Sequence, residues 1–312
     1  MKNVVVIGGG HGQSTILRGI KDIKDINISA IVTVADDGGS TGRIRNLYKI
    51  PAMGDIRNVM IALSESENFM NDLMNYRFKD ENNEEKDVLG HNLGNLILTA
   101  LTDSTGSFTE AIRLISKVLN VKGDIIPSTL DITTLYARMD DDTIVKGEAN
   151  IPSFNHHIHD IFYMDEIKAN EEAVKAIKEA DLIIYGIGSV YTSIIPNIII
   201  KGINDALKES KALKVYFANC MTQNNETFGY DLKDHVDALI KHGPPIDLVV
   251  KHNEVIPFYI IKKYLAQNSI EVLDKGDVGI EVLERSLLDF SKELVRHDPS
   301  KIKVVVEELL KR

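Results

Sequence analysis

The sequence contains no tryptophan and a single cysteine, Cys220, among its 312 residues. One cysteine cannot form an intramolecular disulfide, which excludes the small disulfide-stapled secreted proteins. The most apolar windows, residues 182–187 and 193–200, are short and interrupted by glycine, proline or asparagine, so no membrane-spanning helix is predicted. A predicted strand at residues 4–7 leaves little room for a signal peptide. We therefore expect a cytoplasmic protein without membrane insertion.

Basic residues are in the minority. The sequence has 36 Lys and Arg against 46 Asp and Glu, which gives a formal net charge of -10 and a pI of about 5.4. Nucleic acids and anionic membranes are bound through clustered positive charge, so no nucleic-acid partner is expected. Hydrophobic residues make up 44% of the chain, and no Pro/Gly/Ser-rich linker interrupts it. We predict one globular domain over residues 1–312.

Predicted strands and helices alternate along the chain, a pattern typical of a doubly wound, mostly parallel α/β sheet with helices on both faces. The exception is a small β-hairpin excursion near residues 140–165, with strands at 132–138 and 143–147. Residues 80–87 are predicted to be a charged, solvated and mobile loop. The other predicted strands are 4–7, 31–34, 125–126, 181–185, 215–218, 248–250 and 270–273. The predicted helices are 15–20, 56–69, 96–101, 108–119, 168–180, 196–207 and 301–310.

The residues that follow the predicted strand at 31–34 are mostly polar residues and glycines. A carboxylate pair is followed by glycines, hydroxyls and arginines, so backbone N–H groups and forked cations could approach an anion closely. Ligands of open α/β sheets bind beyond the carboxyl ends of the strands, where this loop should lie. The stretch therefore predicts a site for an anionic, nucleotide-like ligand. Its candidate residues are Asp36, Asp37, Gly38, Gly39, Ser40, Thr41, Arg43 and Arg57.

Two further glycine loops each precede a predicted helix. The first contains Gly9, Gly10 and Gly12, but Gln13 breaks the dinucleotide fingerprint and no Walker ending follows. The second contains Gly188 and Ser189. Phosphate binding at a helix N-terminus is favoured for both, and a tight packing turn is the alternative.

Four other positions have two interpretations each. Asn95 either contacts the ligand or caps a helix, and Asn219 and Thr222 either contact a base or sugar or cap the following helix. Arg296 either binds the ligand or forms a salt bridge with Asp298 or a neighbouring carboxylate. The segment with His156, His157 and His159 could bind a metal, although no cysteine pair completes a zinc motif, and this question stays open.

Six motifs together resemble the YvcK family of gluconeogenesis factors, across nearly the whole chain. They are residues 8–12, 33–43, 54–58, 91–95, 186–193 with 195–197, and 221–223. This family is similar to the CofD-like 2-phospho-L-lactate transferases, and the resemblance implies a Rossmann-like fold. His11 stands where threonine is usual in the family.

The resemblance implies a bacterial regulatory factor needed for gluconeogenic growth and cell shape, which binds UDP-sugars such as UDP-N-acetylglucosamine. From the positions of the loops we expect the glycine loops with Ser189 to contact phosphates, Asp36 and Asp37 to meet a hydroxyl or a divalent ion, the arginines to neutralise charge, and the asparagines and Thr222 to contact the base or sugar. The alternative is a transferase that acts on a nucleotide-activated substrate, in which Asp36 and Asp37 would be catalytic or bind Mg²⁺. A dinucleotide-binding oxidoreductase is disfavoured by the broken fingerprint. A homo-oligomer and a protein partner are left open.

Aromatic residues are scarce, at 6% of the chain. A deazaflavin acceptor would favour an apolar, aromatic wall, whereas the loops beside the glycines are rich in Asn, Gln, Ser and Thr. We therefore expect a binding protein rather than an enzyme.

Overall fold

The computed structural model describes residues 1–78, 88–154 and 156–312. The loop predicted at residues 80–87 lies outside the described residues. The strands, in chain order, are β1 (Lys2–Gly8), β2 (Ile26–Val32), β3 (Asp124–Pro127), β4 (Leu135–Met139), β5 (Ile144–Lys146), β6 (Ile158–Tyr163), β7 (Leu182–Tyr185), β8 (Leu213–Phe217), β9 (Leu248–His252), β10 (Glu281–Arg285), β11 (Leu288–Asp289) and β12 (Arg296–His297).

The helices surround these strands. They are α1 (Gly10–Ile20), α2 (Gly39–Tyr48), α3 (Gly54–Leu63), α4 (Glu67–Met74), α5 (Leu93–Thr105), α6 (Phe108–Val118), α7 (Glu171–Lys178), α8 (Ile195–Ile198), α9 (Lys201–Glu209), α10 (Leu232–Lys241), α11 (Phe258–Leu265) and α12 (Pro299–Leu309). Within the described residues, no helix is both long enough and apolar enough to cross a membrane.

Seven parallel strands form the central sheet, in the order β10-β9-β8-β7-β1-β2-β3. Successive side chains of a strand point to opposite faces. Val4 and Val6 of β1 accordingly belong to one buried core, and Val5 and Ile7 belong to the other. Both faces of the sheet are covered, which confirms the predicted Rossmann-like, doubly wound fold.

The strand order reverses next to β1. The chain winds outward from β1 to β2 and β3, and it later returns to place β7 on the other side of β1. The loops that leave β1 and β7 therefore diverge to opposite faces at neighbouring positions. Such a reversal opens a crevice at the carboxyl ends of the strands.

The predicted hairpin excursion is confirmed as β4 and β5, which pair antiparallel. A third strand that was not predicted, β6, pairs with the other side of β4. A 3₁₀ helix, Glu148–Ser153, connects β5 toward β6 and lies beside the carboxyl edge of the central sheet.

Two predicted helices are divided in the structure. The helix expected at 56–69 is α3 followed by α4, because Ser64 adopts an extended conformation and its hydroxyl donates a hydrogen bond to the carbonyl of Ile61, 2.8 Å away. The helix expected at 196–207 is α8 followed by α9, with Ile200 extended between them. The polar stretch after β2 is also shorter than expected, since α2 begins at Gly39.

The strand predicted at 270–273 is wrong. This segment lies beyond the end of β8, where Thr222 N–H donates to the Ile270 carbonyl at 2.7 Å and Val272 N–H donates to the Cys220 carbonyl at 3.1 Å. It forms only an isolated antiparallel bridge there. One edge of the sheet is formed instead by β10. This strand was not predicted because charged residues interrupt its apolar pattern.

Candidate functional site

The loops after β1 and β7 meet in the crevice. A Cβ atom on Gly12 would overlap the carbonyl oxygen of Ile187 and lie 2.7 Å from the Cα of Gly188. Only glycine at position 12 lets the first turn of α1 lie against the β7 loop. The N-terminus of α1 and the backbone of the second glycine loop thus face one space, an arrangement that favours anions.

This space is a cleft of about 480 Å³. Its volume lies in the range of small-molecule sites. Six of the predicted site residues line it: Gly12, Gly188, Ser189, Asn219, Thr222 and Arg296. These predicted residues come from four separate segments of the sequence, and they lie together in the structure. His11, Gln223, Tyr264 and His297 also line the cleft but were not assigned to a site.

Two amide side chains of the cleft wall carry buried acceptors without a partner. Asn219 donates from Nδ2 to the carbonyl of Gly188 at 2.9 Å, which fixes the orientation of its amide. Its Oδ1 and the Oε1 of Gln223 are buried, and no hydrogen-bond partner for either is found in the described part of the chain. Buried polar atoms in native proteins are normally satisfied. Two unsatisfied acceptors therefore lie within the wall of the cleft.

Arg296 supplies positive charge to the cleft. Its Nη1 donates to the carbonyl of Val295 at 3.2 Å, and it forms no salt bridge across residues 1–78, 88–154 and 156–312. The alternative pairing with Asp298 is wrong, because the Asp298 carboxylate caps α12 by accepting from the backbone N–H of Ser300 at 2.8 Å. Burial lowers the pKa of His11, and Arg18, Arg57 and Arg296 add to this effect. This side of the site therefore favours negative charge.

An acidic cluster lies next to the cleft, and its carboxyl groups are not among the residues that line the cleft. The Asp36 carboxylate accepts from the backbone N–H of Gly38 at 2.9 Å, and a Cβ on Gly54 would lie 2.7 Å from its Oδ2. Asp55 lies beneath Gly9, where a Cβ would overlap its carboxylate. Burial, and then the charge of Asp36, raise the pKa of Asp55 to about 7.

A third carboxyl group, Glu148, comes from the hairpin excursion. Burial raises its pKa to about 8, and Asp36 and Asp55 contribute to this rise. Neither Asp55 nor Glu148 was assigned to the site from sequence. Asp55 belongs to the 54–58 motif and could have been found there, whereas no local pattern identifies Glu148.

Asp37 points away from Asp36. Its Oδ1 accepts from the backbone N–H of Ala149 at 3.0 Å, and a Cβ on Gly147 would lie 2.7 Å from its Oδ2. Asp37 therefore holds the start of the 3₁₀ helix against the sheet. Carboxylate oxygens are the ligands that Mg²⁺ prefers. Because Asp37 is committed to the contact with Ala149, Asp36 and Asp55, whose charges act on each other, are the two carboxyl groups left to face a cation. A binding role for Asp37 stays a prediction.

Four predicted residues form a buried network next to the acidic cluster. Arg57 donates from Nη1 to Asn95 Oδ1 at 2.6 Å, and Asn95 Nδ2 donates to Ser40 Oγ at 3.2 Å and to Thr41 Oγ1 at 3.4 Å. The other predicted residues of this stretch lie around them. Gly38 precedes α2, and Gly39, which has a positive φ, begins it.

Arg43 is not brought to the cleft. It is exposed and donates from Nη2 to the carbonyl of Leu89 at 2.9 Å. Gly10, by contrast, stays at the site, since its backbone N–H faces the Asp55 carboxyl.

Ser189 is oriented by a buried acid. Its hydroxyl donates to the Glu226 carboxylate and accepts from the backbone N–H of Thr192 at 2.9 Å. Burial raises the pKa of Glu226 to about 7. Glu226 was also not assigned to the site, because it lies in a polar loop without a recognisable motif.

The three histidines of the excursion do not converge. His156 lies 3.2 Å from Asp140 and 3.5 Å from Asp141, the ring of His157 stacks on Tyr230, and the His159 carbonyl accepts from Lys241 at 2.6 Å. Asp140, Asp141 and His156 could together approach a cation, but all three are exposed. The predicted histidine cluster is therefore not a preformed metal site within the described residues.

Several known proteins are similar to this chain over most of its length. Residues 4–288 match the family described as 2-phospho-L-lactate transferase CofD. The chain is 42% identical to a gluconeogenesis factor of Bacillus subtilis, over 99% of this chain and 98% of that protein. It is 41% identical to a gluconeogenesis factor of Listeria monocytogenes, over 96% and 92% of the respective chains. A crystal structure of a UPF0052 family member from Bacillus halodurans superposes with a TM-score of 0.92 at 40% identity, covering 98% of this chain and 99% of that one.

Proposed function

The chain belongs to the YvcK-type gluconeogenesis factors of the CofD family, and on that premise we propose that it is a cytoplasmic regulatory protein that binds a UDP-sugar, such as UDP-N-acetylglucosamine. Its biological role in this proposal is to support growth on gluconeogenic carbon sources and normal cell shape. The observation that carries the binding proposal is the cleft between the β1 and β7 loops, with its unpartnered acceptors on Asn219 and Gln223.

The two sides of the site suit two parts of such a ligand. The α1 N-terminus, the glycine loops and Arg296 favour a diphosphate. The amide wall suits the hydroxyl and N–H donors of a nucleoside or a sugar. Mg²⁺ would supply charge neutralisation for the diphosphate, and Asp36 and Asp55 are the residues that would hold it.

A thermal-shift screen of UDP-N-acetylglucosamine, UDP-glucose, GDP, GTP and NAD tests the proposal. A ligand at about one hundred times its dissociation constant stabilises the native state by roughly 2.7 kcal/mol. For a chain of 312 residues this corresponds to a melting-temperature rise of roughly 4 °C. We expect the UDP-sugars to produce this shift. An absence of any shift, or a shift with NAD alone, would contradict the proposal.

Replacing the wall acceptor provides the matched control. Asn219→Leu should remove most of the shift caused by the UDP-sugar, because the variant offers no acceptor to the ligand. Asn46→Leu, at an exposed position of α2 that does not line the cleft, should leave the shift unchanged. If the UDP-sugar raised the melting temperature of both variants equally, the amide of Asn219 would not contribute to binding.

A second candidate function is phospholactyl transfer. The match to a transferase family favours it, as do Asp55 and Glu148, whose pKa values of about 7 and 8 suit a general base near neutral pH. Against it, Tyr264 is the one aromatic residue that lines the cleft in the described part of the chain, which is a poor wall for a flavin-like acceptor.

Nucleotide release separates the two functions. The protein is incubated with Mg²⁺ and UDP-N-acetylglucosamine, and separately with guanylyl-phospholactate and a deazaflavin alcohol. We expect no release above background in either mixture. Release that is proportional to protein concentration and abolished by Asp36→Asn would establish the transferase instead.

A further inference from the structure

Helix α11 leaves one of its faces uncovered. Ile260 is buried in the core, and Ile261 and Tyr264 pack partly against it, so one side of the helix is held by the protein. On the other side, Phe258 is 70% exposed, and Tyr259 and Leu265 are each about half exposed. Large apolar side chains that are exposed together mark an interaction surface.

The spacing on this face suits a helical partner. Phe258, Lys262 and Leu265 follow one another at intervals of four and three residues, so they form a row along the helix. The Lys262 ammonium lies 6.0 Å from the centroid of the Phe258 ring, as neighbours in such a row should. Rows with this spacing are what one helix presents to another.

Positive charge accompanies the row. Residues 255–268 contain Lys262 and Lys263 and no acidic residue, in a chain whose net charge is -10. Lys263 forms a salt bridge with Glu293. No carboxylate of the described residues lies within salt-bridge distance of Lys262. Charge complementarity therefore favours a partner that carries acidic residues beside its apolar ones.

Two other occupants fit this face less well. Lys262 lies at the middle of α11, so a twofold pairing of this helix with that of a second copy would bring two ammonium groups together. The helix is also only about 12 Å long, whereas a stable interface buries about 800 Å² on each partner. An anionic membrane attracts clustered positive charge, and this segment offers only two lysines on an acidic protein. A helix of another protein is therefore the favoured occupant.

We propose that the exposed face of α11, formed by Phe258, Tyr259, Lys262 and Leu265, is a docking surface for an acidic amphipathic helix of another protein. The apolar side of that helix covers Phe258 and Leu265, and one of its carboxylates pairs with Lys262. The held side of α11 contributes Tyr264 to the cleft, so a partner docked here lies behind one wall of the cleft. This inference does not depend on which ligand the cleft binds.

Two synthetic helical peptides test the proposal by fluorescence anisotropy with the full-length protein. Both peptides carry leucines along one face; one has glutamates beside the leucines and the other has lysines. We expect the glutamate peptide to bind the wild-type protein at least about tenfold more tightly than the lysine peptide, which is about 1.4 kcal/mol. Equal affinity for the two peptides, or no binding of the glutamate peptide, would overturn the proposal.

Variants then assign the binding to α11. Lys262→Glu should reverse the preference, so that the lysine peptide binds more tightly than the glutamate peptide. Phe258→Ser should weaken the glutamate peptide about tenfold or more, because aromatic side chains dominate such contacts. Val118→Ser is the matched control, since Val118 is 77% exposed at the end of α6. Equal weakening in the Phe258 and Val118 variants, or an unchanged preference in Lys262→Glu, would contradict docking on this face.

Two measurements without peptide test the other occupants. In analytical ultracentrifugation, we expect wild type and Phe258→Ser to have the same oligomeric state. In co-sedimentation, we expect neither protein to bind vesicles of phosphatidylcholine and phosphatidylglycerol. A dimer that Phe258→Ser dissociates would assign the face to a second copy, and vesicle binding that Phe258→Ser abolishes would assign it to a membrane. Either result would overturn the proposal and leave the proposed ligand binding untouched.

Discussion

Asp55 should make the free protein less stable as the pH rises. The pKa of its carboxyl is raised from 3.8 to about 7, chiefly by burial and then by the charge of Asp36. The folded state therefore holds this proton more tightly than the unfolded state does. The resulting stabilisation is complete below pH 3.8 and is lost as the pH rises through about 7.

The size of the effect follows from the shift. Each pKa unit corresponds to about 1.36 kcal/mol, so ionising Asp55 in the free protein costs at most about 4 kcal/mol of unfolding free energy. Asp55→Asn removes the charge and keeps the size of the side chain. We expect the variant to melt higher than wild type at pH 8, by up to roughly 6 °C for a chain of this length, with little difference at pH 4.

The assay is thermal unfolding of both proteins, without ligand, from pH 4 to pH 8. Asp22→Asn serves as the control, because Asp22 is exposed and its pKa is lowered by the hydrogen bond from Lys122. That control should not gain stability at high pH. If the melting temperatures of wild type and Asp55→Asn differed by the same amount at every pH, the reasoning would be refuted. Asp55 would then ionise in the folded state as easily as in the unfolded state.

Magnesium gives the same experiment a second readout. If Asp36 and Asp55 hold the ion, then Mg²⁺ should raise the melting temperature of the wild-type protein at pH 8, because the cation stabilises both ionised carboxylates. Asp55→Asn should lose most of this response. A response of equal size in both proteins would exclude Asp55 as a ligand.

Two further substitutions test the geometry of the loops. Gly12→Ala places a Cβ on the carbonyl oxygen of Ile187 and should destabilise the protein by more than about 2 kcal/mol in urea unfolding, whereas Gly276→Ala, which has open space around it, should change stability by less than about 0.5 kcal/mol; equal effects would contradict the close approach. Asp37→Ala removes the acceptor for Ala149 N–H and should speed hydrogen exchange in residues 147–153, while Asp37→Asn should keep the protection; unchanged exchange in Asp37→Ala would show that this contact does not hold the segment.

The sequence predicted those strands whose side chains are apolar on both faces. The predicted parts of β1 and β7 to β9, residues 4–7, 182–185, 215–217 and 248–250, are continuous runs of Val, Ile, Leu and aromatic residues. Such runs are typical of strands buried in a parallel sheet. β10 escaped prediction because, as an edge strand, it carries Glu281, Glu284 and Arg285. The prediction was made instead for residues 270–273, three of which are apolar. This segment hydrogen-bonds to residues 220 and 222 beyond the end of β8, a tertiary contact without a sequence signature.

The parts of the site that are formed by glycine loops could be predicted from the sequence. Side chains that distant segments contribute to the site were harder to predict. Glycines that precede a helix identified the loops that meet in the cleft. Asp55 was missed because an acid in the first turn of a helix is usually explained by the helix dipole, and its proximity to Gly9 depends on how α3 packs. Glu148 and His297 reach the site through the excursion and the β11–β12 hairpin, so their positions depend on long-range topology.

The central place of β1 also constrains how this protein can be made. Asn3, at its start, bonds with Asp181, which lies 178 residues later in the chain. One edge of this inner strand therefore stays unpaired until β7 has been synthesised, a delay of roughly 10 to 40 s at about 5–20 residues per second. During that interval the ribosome-bound chain carries an apolar strand with an open edge, a common template for misassembly. The strand reversal that opens the ligand crevice thus also leaves one edge of an inner strand without its partner while the chain is being synthesised.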